Sequence, residues 1–202
     1  MCARRNPDTP RTSQRLDRID GVLRRRQKDL AVVLANIHDA HNVSAIYRSC
    51  DAFGVPRVHL YYTNEPFPTL GKKTSASAQK WVETVRHRDA ATMVEGFRSQ
   101  GFQVLSTGFT TNARPIVEYD LCLPTAIIFG NEHRGVDPEL EALVLDHVYI
   151  PMQGMVQSLN VSVAAAVTLF ETWRQRQAKG MFACASFSEE ELETMAAVWK
   201  IK

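Results

Sequence analysis

At 202 residues, 45% hydrophobic and 23% charged, the chain has the length and composition of one globular domain with short extensions, not of a disordered or fibrous protein. It carries no apolar run near 18 residues and no signal-peptide pattern, so a cytosolic protein with no membrane partner is expected. Net charge is only +2, yet residues 1–28 hold nine Lys or Arg against three Asp, a local +6 that leaves −4 on the remainder. A basic arm of this kind suits attraction to a phosphate backbone, and it equally suits a solvated terminal helix.

Residues 1–11, with Asn6-Pro7 and Thr9-Pro10, read as disordered. From Thr12 the apolar residues Leu16, Ile19, Val22 and Leu23 recur at helical spacing to about Gln27. An apolar strand follows at Leu30–Ile37. His38 and His41 straddle the turn after it without further nearby ligands, which favours capping or loop packing over metal binding. A helix is predicted over Val43–Phe53, capped by Asn42 and ended by Gly54. Next come a strand at Arg57–Tyr62 and the segment Gly71-Lys72-Lys73-Thr74. That segment has the end of a phosphate-binding loop, but Pro66 stands where the loop needs its first glycine.

Further strands are predicted at Val82–Val85, Gln103–Thr107, Ala126–Phe129 and Val148–Ile150. Helices are predicted at Ala90–Gln100, Pro138–Leu145, Val161–Ala178 and Glu189–Trp199, the last introduced by Ser188 and strongly acidic at its start. Short continuous apolar strands alternating with helices describe an α/β domain around a mostly parallel sheet. No GxGxxG follows any strand, so the usual dinucleotide fingerprint is absent. The four cysteines, Cys2, Cys50, Cys122 and Cys184, form no CxxC pair, and buried or idle thiols are expected instead of a zinc site or a disulfide framework.

Three polar clusters stand where a strand hands over to a loop or helix, and so can converge on one edge of the sheet. They are Asn42–Asp51 (NVSAIYRSCD), Phe129–Pro138 (FGNEHRGVDP) and Ile150–Ser162 (IPMQGMVQSLNVS). In the first, Val43, Ile46, Cys50 and Phe53 form one helical stripe, and Arg48 lies about 200° round from Ile46 and from Cys50, pointing off the core. Position alone makes it an exposed arginine. The second is a loop fixed by an apolar strand on one side and by Asp137-Pro138, a helix start, on the other. In the third, Gly154 permits a sharp turn and Asn160 can cap the long helix.

Together the clusters resemble the three signature motifs of the SpoU class of S-adenosylmethionine-dependent RNA ribose methyltransferases, over roughly Leu16 to Gly180. The third block, GMVQSLNVSVA, is most similar to the branch that methylates the 2′-hydroxyl of guanosine 18 in tRNA. The resemblance implies a C-terminal deep trefoil knot in the α/β sheet, an exception to unknotted topology. It implies a methyltransferase domain over 29–180 between a basic extension and helix at 1–28 and a helical extension at 181–202. It also implies a homodimer acting on tRNA and not on DNA. Methylation of rRNA or of the tRNA wobble nucleotide, or an idle RNA-binding protein on the same fold, are the alternatives it leaves open.

By the same resemblance the catalytic set is Arg48, Asn42, Glu132, Ser158 and Asn160. The cofactor S-adenosylmethionine would touch Thr107, Gly130, Ile150, Ser158, Leu159 and Asn160, with no metal required. Guanidinium is effectively always protonated, so Arg48 is expected to clamp a phosphate and favour the developing alkoxide, not to act as a base. Enlarging Gly130 to valine is expected to obstruct the cofactor pocket while the protein stays folded. Removing residues 1–28 is expected to weaken RNA binding and spare cofactor affinity.

Overall fold

A computed structural model of the chain describes residues 13–68 and 78–202. The expected disorder of residues 1–11 and the segment Gly71–Thr74 therefore lie outside the described residues. Seven parallel strands form the sheet: β1 (Leu30–Ala35), β2 (Arg57–Tyr61), β3 (Glu83–His87), β4 (Gln103–Thr107), β5 (Arg114–Pro115), β6 (Thr125–Phe129) and β7 (Asp146–Tyr149), in the spatial order β3-β2-β1-β6-β4-β7-β5. Helices α1 (Ser13–Leu23), α2 (Ala40–Ala52), α3 (Ala78–Trp81), α4 (Ala90–Ser99), α5 (Pro138–Leu143), α6 (Val161–Ala178) and α7 (Glu189–Ile201) surround it.

The strands are buried on both faces, which is why β1 (LAVVLA) and β6 (TAIIF) read as unbroken apolar runs. Period-two alternation divides β1 between two cores. Leu30, Val32 and Leu34 pack with Val43, Ile46, Tyr47 and Cys50 of α2 and Ala165 and Leu169 of α6. Ala31, Val33 and Ala35 pack with Met93, Val94 and Phe97 of α4 and Leu140 of α5. The chain runs from β1 outward to β2 and β3, then crosses to β4 on the far side of β6. In open parallel sheets the carboxyl ends at such a reversal of strand order are where ligands bind.

Two local departures from the sequence expectations matter. β1 stops at Ala35, because Asn36 takes a left-handed φ of 49° that no strand continues. The helix of the first cluster begins at Ala40, capped by Asp39, whose side chain accepts from the His41 N–H at 2.8 Å. Asn42 is thus not the cap; it lies in the first turn with its amide free for other work. Gly54 does follow the end of α2 in a left-handed conformation, and a Cβ there would meet the Arg25 carbonyl oxygen at 2.9 Å.

The basic arm also differs from expectation. α1 and α7 share a small core of Ile19, Leu23, Phe187, Leu192 and Trp199. Across it Arg24 donates two N–H groups to the Glu189 carboxylate (2.8 and 2.9 Å), and Lys28 pairs with Glu191. Arg26 is fully buried, donating to the Val55 carbonyl at 2.9 Å and to the Asp51 carboxylate, with its guanidinium 5.3 Å from the Trp199 ring. Three of these basic residues are therefore paired within the protein, Arg24 and Lys28 at the surface with the acidic C-terminal helix and Arg26 in the interior with α2. Deleting residues 1–28 would also strip Asp51 of its buried partner Arg26, so the truncation expected to spare cofactor affinity would alter the support of α2 as well as the basic charge.

Candidate active site

The three clusters meet at the carboxyl ends of β1 and β6 and the start of α6, and a chain of hydrogen bonds joins them. Asn160 Nδ2 donates to Asn42 Oδ1 (3.1 Å), and Asn42 Nδ2 donates to Glu132 Oε1 (2.9 Å). The polarity of this relay is fixed at both ends. An ionised carboxylate only accepts, so Asn42 must turn its NH2 toward Glu132 and its oxygen toward Asn160. Asn160 in turn uses its own oxygen to cap α6, accepting from Ser162 N–H at 2.9 Å and Ser162 Oγ at 2.6 Å.

Glu132 binds three donors at once, since His38 N–H (3.1 Å) and Asp39 N–H (3.3 Å) join the Asn42 amide. Partial burial pushes its pKa up, but the bonds from Asn42 and from the backbone outweigh this and hold it below the usual carboxylate range. A depressed native value means that the contribution to stability is present at neutral pH and is lost as pH falls through the carboxylate range. Glu132 is thus an anion that orients the entrance to α2.

Asn36, which the sequence reading did not single out, organises the same edge. It is fully buried, and its Oδ1 accepts from three successive backbone N–H groups, Thr63 (3.0 Å), Asn64 (3.3 Å) and Glu65 (3.4 Å). Its Nδ2 donates to Asp137 Oδ2 at 2.5 Å, and its carbonyl accepts from Asn131 Nδ2 at 2.6 Å. Asp137 starts α5 as predicted, but its carboxylate makes no capping bond and turns to Asn36 instead. One strained residue therefore fixes the loop after β2, the loop of the second cluster and the start of α5.

Asn36→Asp retains the acceptor and tolerates the left-handed backbone, but sets a carboxylate against Asp137. Affinity for the expected cofactor should fall about tenfold, the scale of one lost charged hydrogen bond. The reversed pair Asn36→Asp/Asp137→Asn should recover most of it in titration calorimetry. Equal binding by the single variant would show that Asn36 does not position this site.

Beside the hydrogen-bonded chain lies a cavity of about 370 Å³. Every residue expected to touch a cofactor lines it: Thr107, Gly130, Ile150, Ser158, Leu159 and Asn160. Asn42 and Arg48 are not among its lining residues, and Glu132 is. Thr107 spends its hydroxyl on the Ile128 carbonyl (3.0 Å), which leaves its place in the wall structural in part. The lining also includes Phe109 and Tyr149, with ring centroids 5.3 Å apart, and Thr168 of α6, which lie outside the three clusters, as well as Met152 and Ala164 of the third block, which were not singled out. Their signal was weak because a loop residue, the last residue of a strand and positions on a helix face have no distinctive spacing.

Gly130 has no room for a side chain. A Cβ there would lie 2.3 Å from the Gly135 carbonyl carbon and 2.4 Å from Val136 N, where Asn131 and Gly135 exchange backbone hydrogen bonds at 2.7 and 2.9 Å. The expectation that a larger residue fills the cavity and leaves the fold intact is thus corrected: the collision is with the loop's own backbone. Gly154 is exposed and takes no left-handed φ, so its expected turn does not depend on glycine's left-handed freedom. Arg48 is exposed and carries no ion pair or hydrogen bond among the described residues.

A larger concavity of about 660 Å³ lies elsewhere, lined by Arg15, Arg18, Trp81 and Trp199 among others. None of the three clusters' predicted site residues lines it, whereas Glu132 and all the expected cofactor contacts line the smaller cavity. That cavity suits an adenosyl cofactor. Its volume is within the usual ligand range of roughly 300–1,000 Å³, and it combines apolar walls (Ile116, Val148, Ile150, Leu159) with a glycine-tight loop and one carboxylate.

The sequence pattern of the SpoU rRNA Methylase family matches residues 29–170. The tRNA (guanosine(18)-2′-O)-methyltransferase of Thermus thermophilus is 44% identical over 189 residues, 94% of this chain and 97% of that protein. The crystal structure of the A. aeolicus TrmH/SpoU tRNA modifying enzyme superposes with a TM-score of 0.87 at 37% identity, covering 93% of this chain and 95% of that one. An AdoMet-bound rRNA methyltransferase from Sinorhizobium meliloti is more distant, with a TM-score of 0.65 at 25% identity over 75% of this chain and 59% of its own.

Proposed function

Because this chain belongs to the SpoU rRNA Methylase family, we propose that it transfers the methyl group of S-adenosylmethionine to the ribose 2′-hydroxyl of a tRNA nucleotide, guanosine 18. The observation that carries this reading is the joining of the three motifs by the Asn160–Asn42–Glu132 chain at the rim of a ligand-sized cavity. The choice of tRNA rests on the 44% identical relative, matched over nearly its whole length.

The cofactor supplies an already cationic sulfonium as leaving group, and the cavity residues Thr107, Gly130, Ile150, Ser158, Leu159 and Asn160 would hold it. The remaining work falls to this chain's side chains. A ribose hydroxyl is a poor nucleophile, so the site must orient it and favour the charge that develops on its oxygen. Glu132 acts through Asn42, which it locks toward Asn160, and is a positioning residue in this scheme. Arg48 lies about 9 Å along α2 from Asn42 and faces solvent, from which the RNA arrives. It clamps a phosphate and draws the hydroxyl toward the alkoxide.

Two further parts of the reading concern assembly. A deep trefoil knot is supported by the grip on the end of α6, where Leu121 N–H donates to Gln175 Oε1 (2.9 Å) and Arg176 Nε donates to the Leu121 carbonyl (3.0 Å). That grip holds the chain that follows the third cluster against the chain that precedes β6. A homodimer is supported by the apolar residues Val163, Val167, Phe170 and Trp173 that α6 leaves exposed, continued by Met155 and Val156 in the preceding loop. Val167→Asp/Phe170→Asp should sediment as a monomer where the parent sediments as a dimer. A monomeric and fully active parent at micromolar concentration would contradict the assembly.

Among the described residues no helix is long and apolar enough to cross a membrane. Mass-spectrometric mapping of 2′-O-methylation in tRNA from cells with and without the gene tests the assignment. Loss of the modification at position 18 alone is the expected result.

A further inference from the structure

Two arginines that pair with no carboxylate among the described residues lie over one aromatic ring at the carboxyl end of the sheet. Arg86 of β3 and Arg88, just beyond it, are exposed, and their guanidinium carbons lie 5.3 and 5.0 Å from the centroid of the Phe67 ring. Phe67 is seated in turn on Tyr62, with centroids 5.5 Å apart, and on the core face that carries α2. The loop that presents it is the one whose backbone Asn36 gathers.

The opposite end of the same strand is built differently, since Glu83 pairs with Arg57 at 2.7 Å. Residues two apart on a strand share a face and lie about 7 Å from one another, so Arg86 and Arg88 hold like charges side by side. β3 is an edge strand, and charge there discourages strand pairing. Blocking an edge does not require two guanidinium groups gathered over one aromatic ring.

The position fits a large anion. β3 lies three strands from β6, about 14 Å across the sheet, so no small ligand of the cavity spans both places. α2, which carries Arg48, is fastened to β3 by the Tyr47 and Thr84 hydroxyls at 2.7 Å. Arg24, Arg26 and Lys28 are paired with carboxylates, so these three charges of the N-terminal segment are engaged within the protein, whereas Arg86 and Arg88 are not so engaged among the described residues.

We propose that Arg86, Phe67 and Arg88 form a contact platform for a part of the tRNA away from the methylated nucleotide. The two guanidinium forks take backbone phosphates, and the face of Phe67 holds each fork in place by cation–π contact. This inference rests on the tRNA reading of the active site.

The test compares Arg86→Ala/Arg88→Ala with the parent protein in tRNA binding, by fluorescence anisotropy over a range of salt concentrations. Affinity at low salt should fall at least tenfold. The slope of log affinity against log salt should shrink by about 1.5, for two phosphate contacts at roughly 0.7 to 0.9 each. Cofactor affinity by calorimetry and the thermal midpoint should not move. Phe67→Leu, which keeps both charges and the apolar contact with the core, should give a smaller loss with the slope retained. An unchanged affinity and slope in the double variant, with the parent binding and methylating tRNA, would overturn the platform alone. A parent that neither binds nor methylates tRNA would overturn the platform and the active-site reading together.

Discussion

Replacing Arg48 by alanine should lower single-turnover methyl transfer at saturating tRNA and cofactor by about a hundredfold, the scale seen when one donor to a developing oxyanion is lost. Affinity for S-adenosylmethionine should hardly change. The reason is geometric: Arg48 is exposed, makes no ion pair or hydrogen bond among the described residues, and does not line the cavity. Its removal costs the fold little, so any large effect must be read at the RNA. Arg48→Lys should restore little, because a point charge does not reproduce the planar fork that grips phosphate. Rates near the parent's in Arg48→Ala would return this residue to the status of an ordinary surface arginine.

Gly130→Ala should have the second large effect, through backbone and not through charge. A single Cβ would press on Gly135 and Val136 at distances of 2.3 to 2.4 Å, against atoms that cannot swing aside as a flexible side chain would. The loop that carries Asn131 and Glu132 must then move. Cofactor affinity should fall on the order of a hundredfold, with a loss of about 3 kcal/mol in stability, at the upper end for overpacking. Calorimetric titration and thermal denaturation of the same preparation measure both. Parent-like affinity would mean that the loop of the second cluster does not shape the cofactor site.

The sequence disclosed elements whose signal is local and periodic. α6 runs over Val161–Ala178 as predicted, because Asn160 is an effective cap and no glycine or proline interrupts the residues behind it. The unbroken apolar runs of β1 and β6 announced burial on both faces. Where two residues offered the same local chemistry, tertiary contacts decided between them. Asp39 and Asn42 are both good helix caps, and Glu132, ninety residues away, draws the Asn42 amide to itself and leaves the cap to Asp39.

Other features had no sequence signal to give. Nothing in a buried asparagine at the end of a strand announces a left-handed backbone with hydrogen bonds to three loops. The two-residue strand β5 is too short to show a period. The charge of the N-terminal segment was legible, but its neutralisation by Glu189 and Glu191 depended on α7 folding back onto α1 from the other end of the chain. Charge counts along a sequence say what is available and not what remains free after folding.

The most direct measurement incubates the protein with S-adenosylmethionine and two tRNA preparations, one entirely ribose at guanosine 18 and one with a 2′-deoxy sugar at that position alone. Nuclease digestion and mass spectrometry then locate the added methyl group. One methyl group on the 2′-oxygen of guanosine 18 in the first tRNA, and none anywhere in the second, is the predicted result. Methylation of a base, of another ribose, or of both tRNAs alike would contradict it.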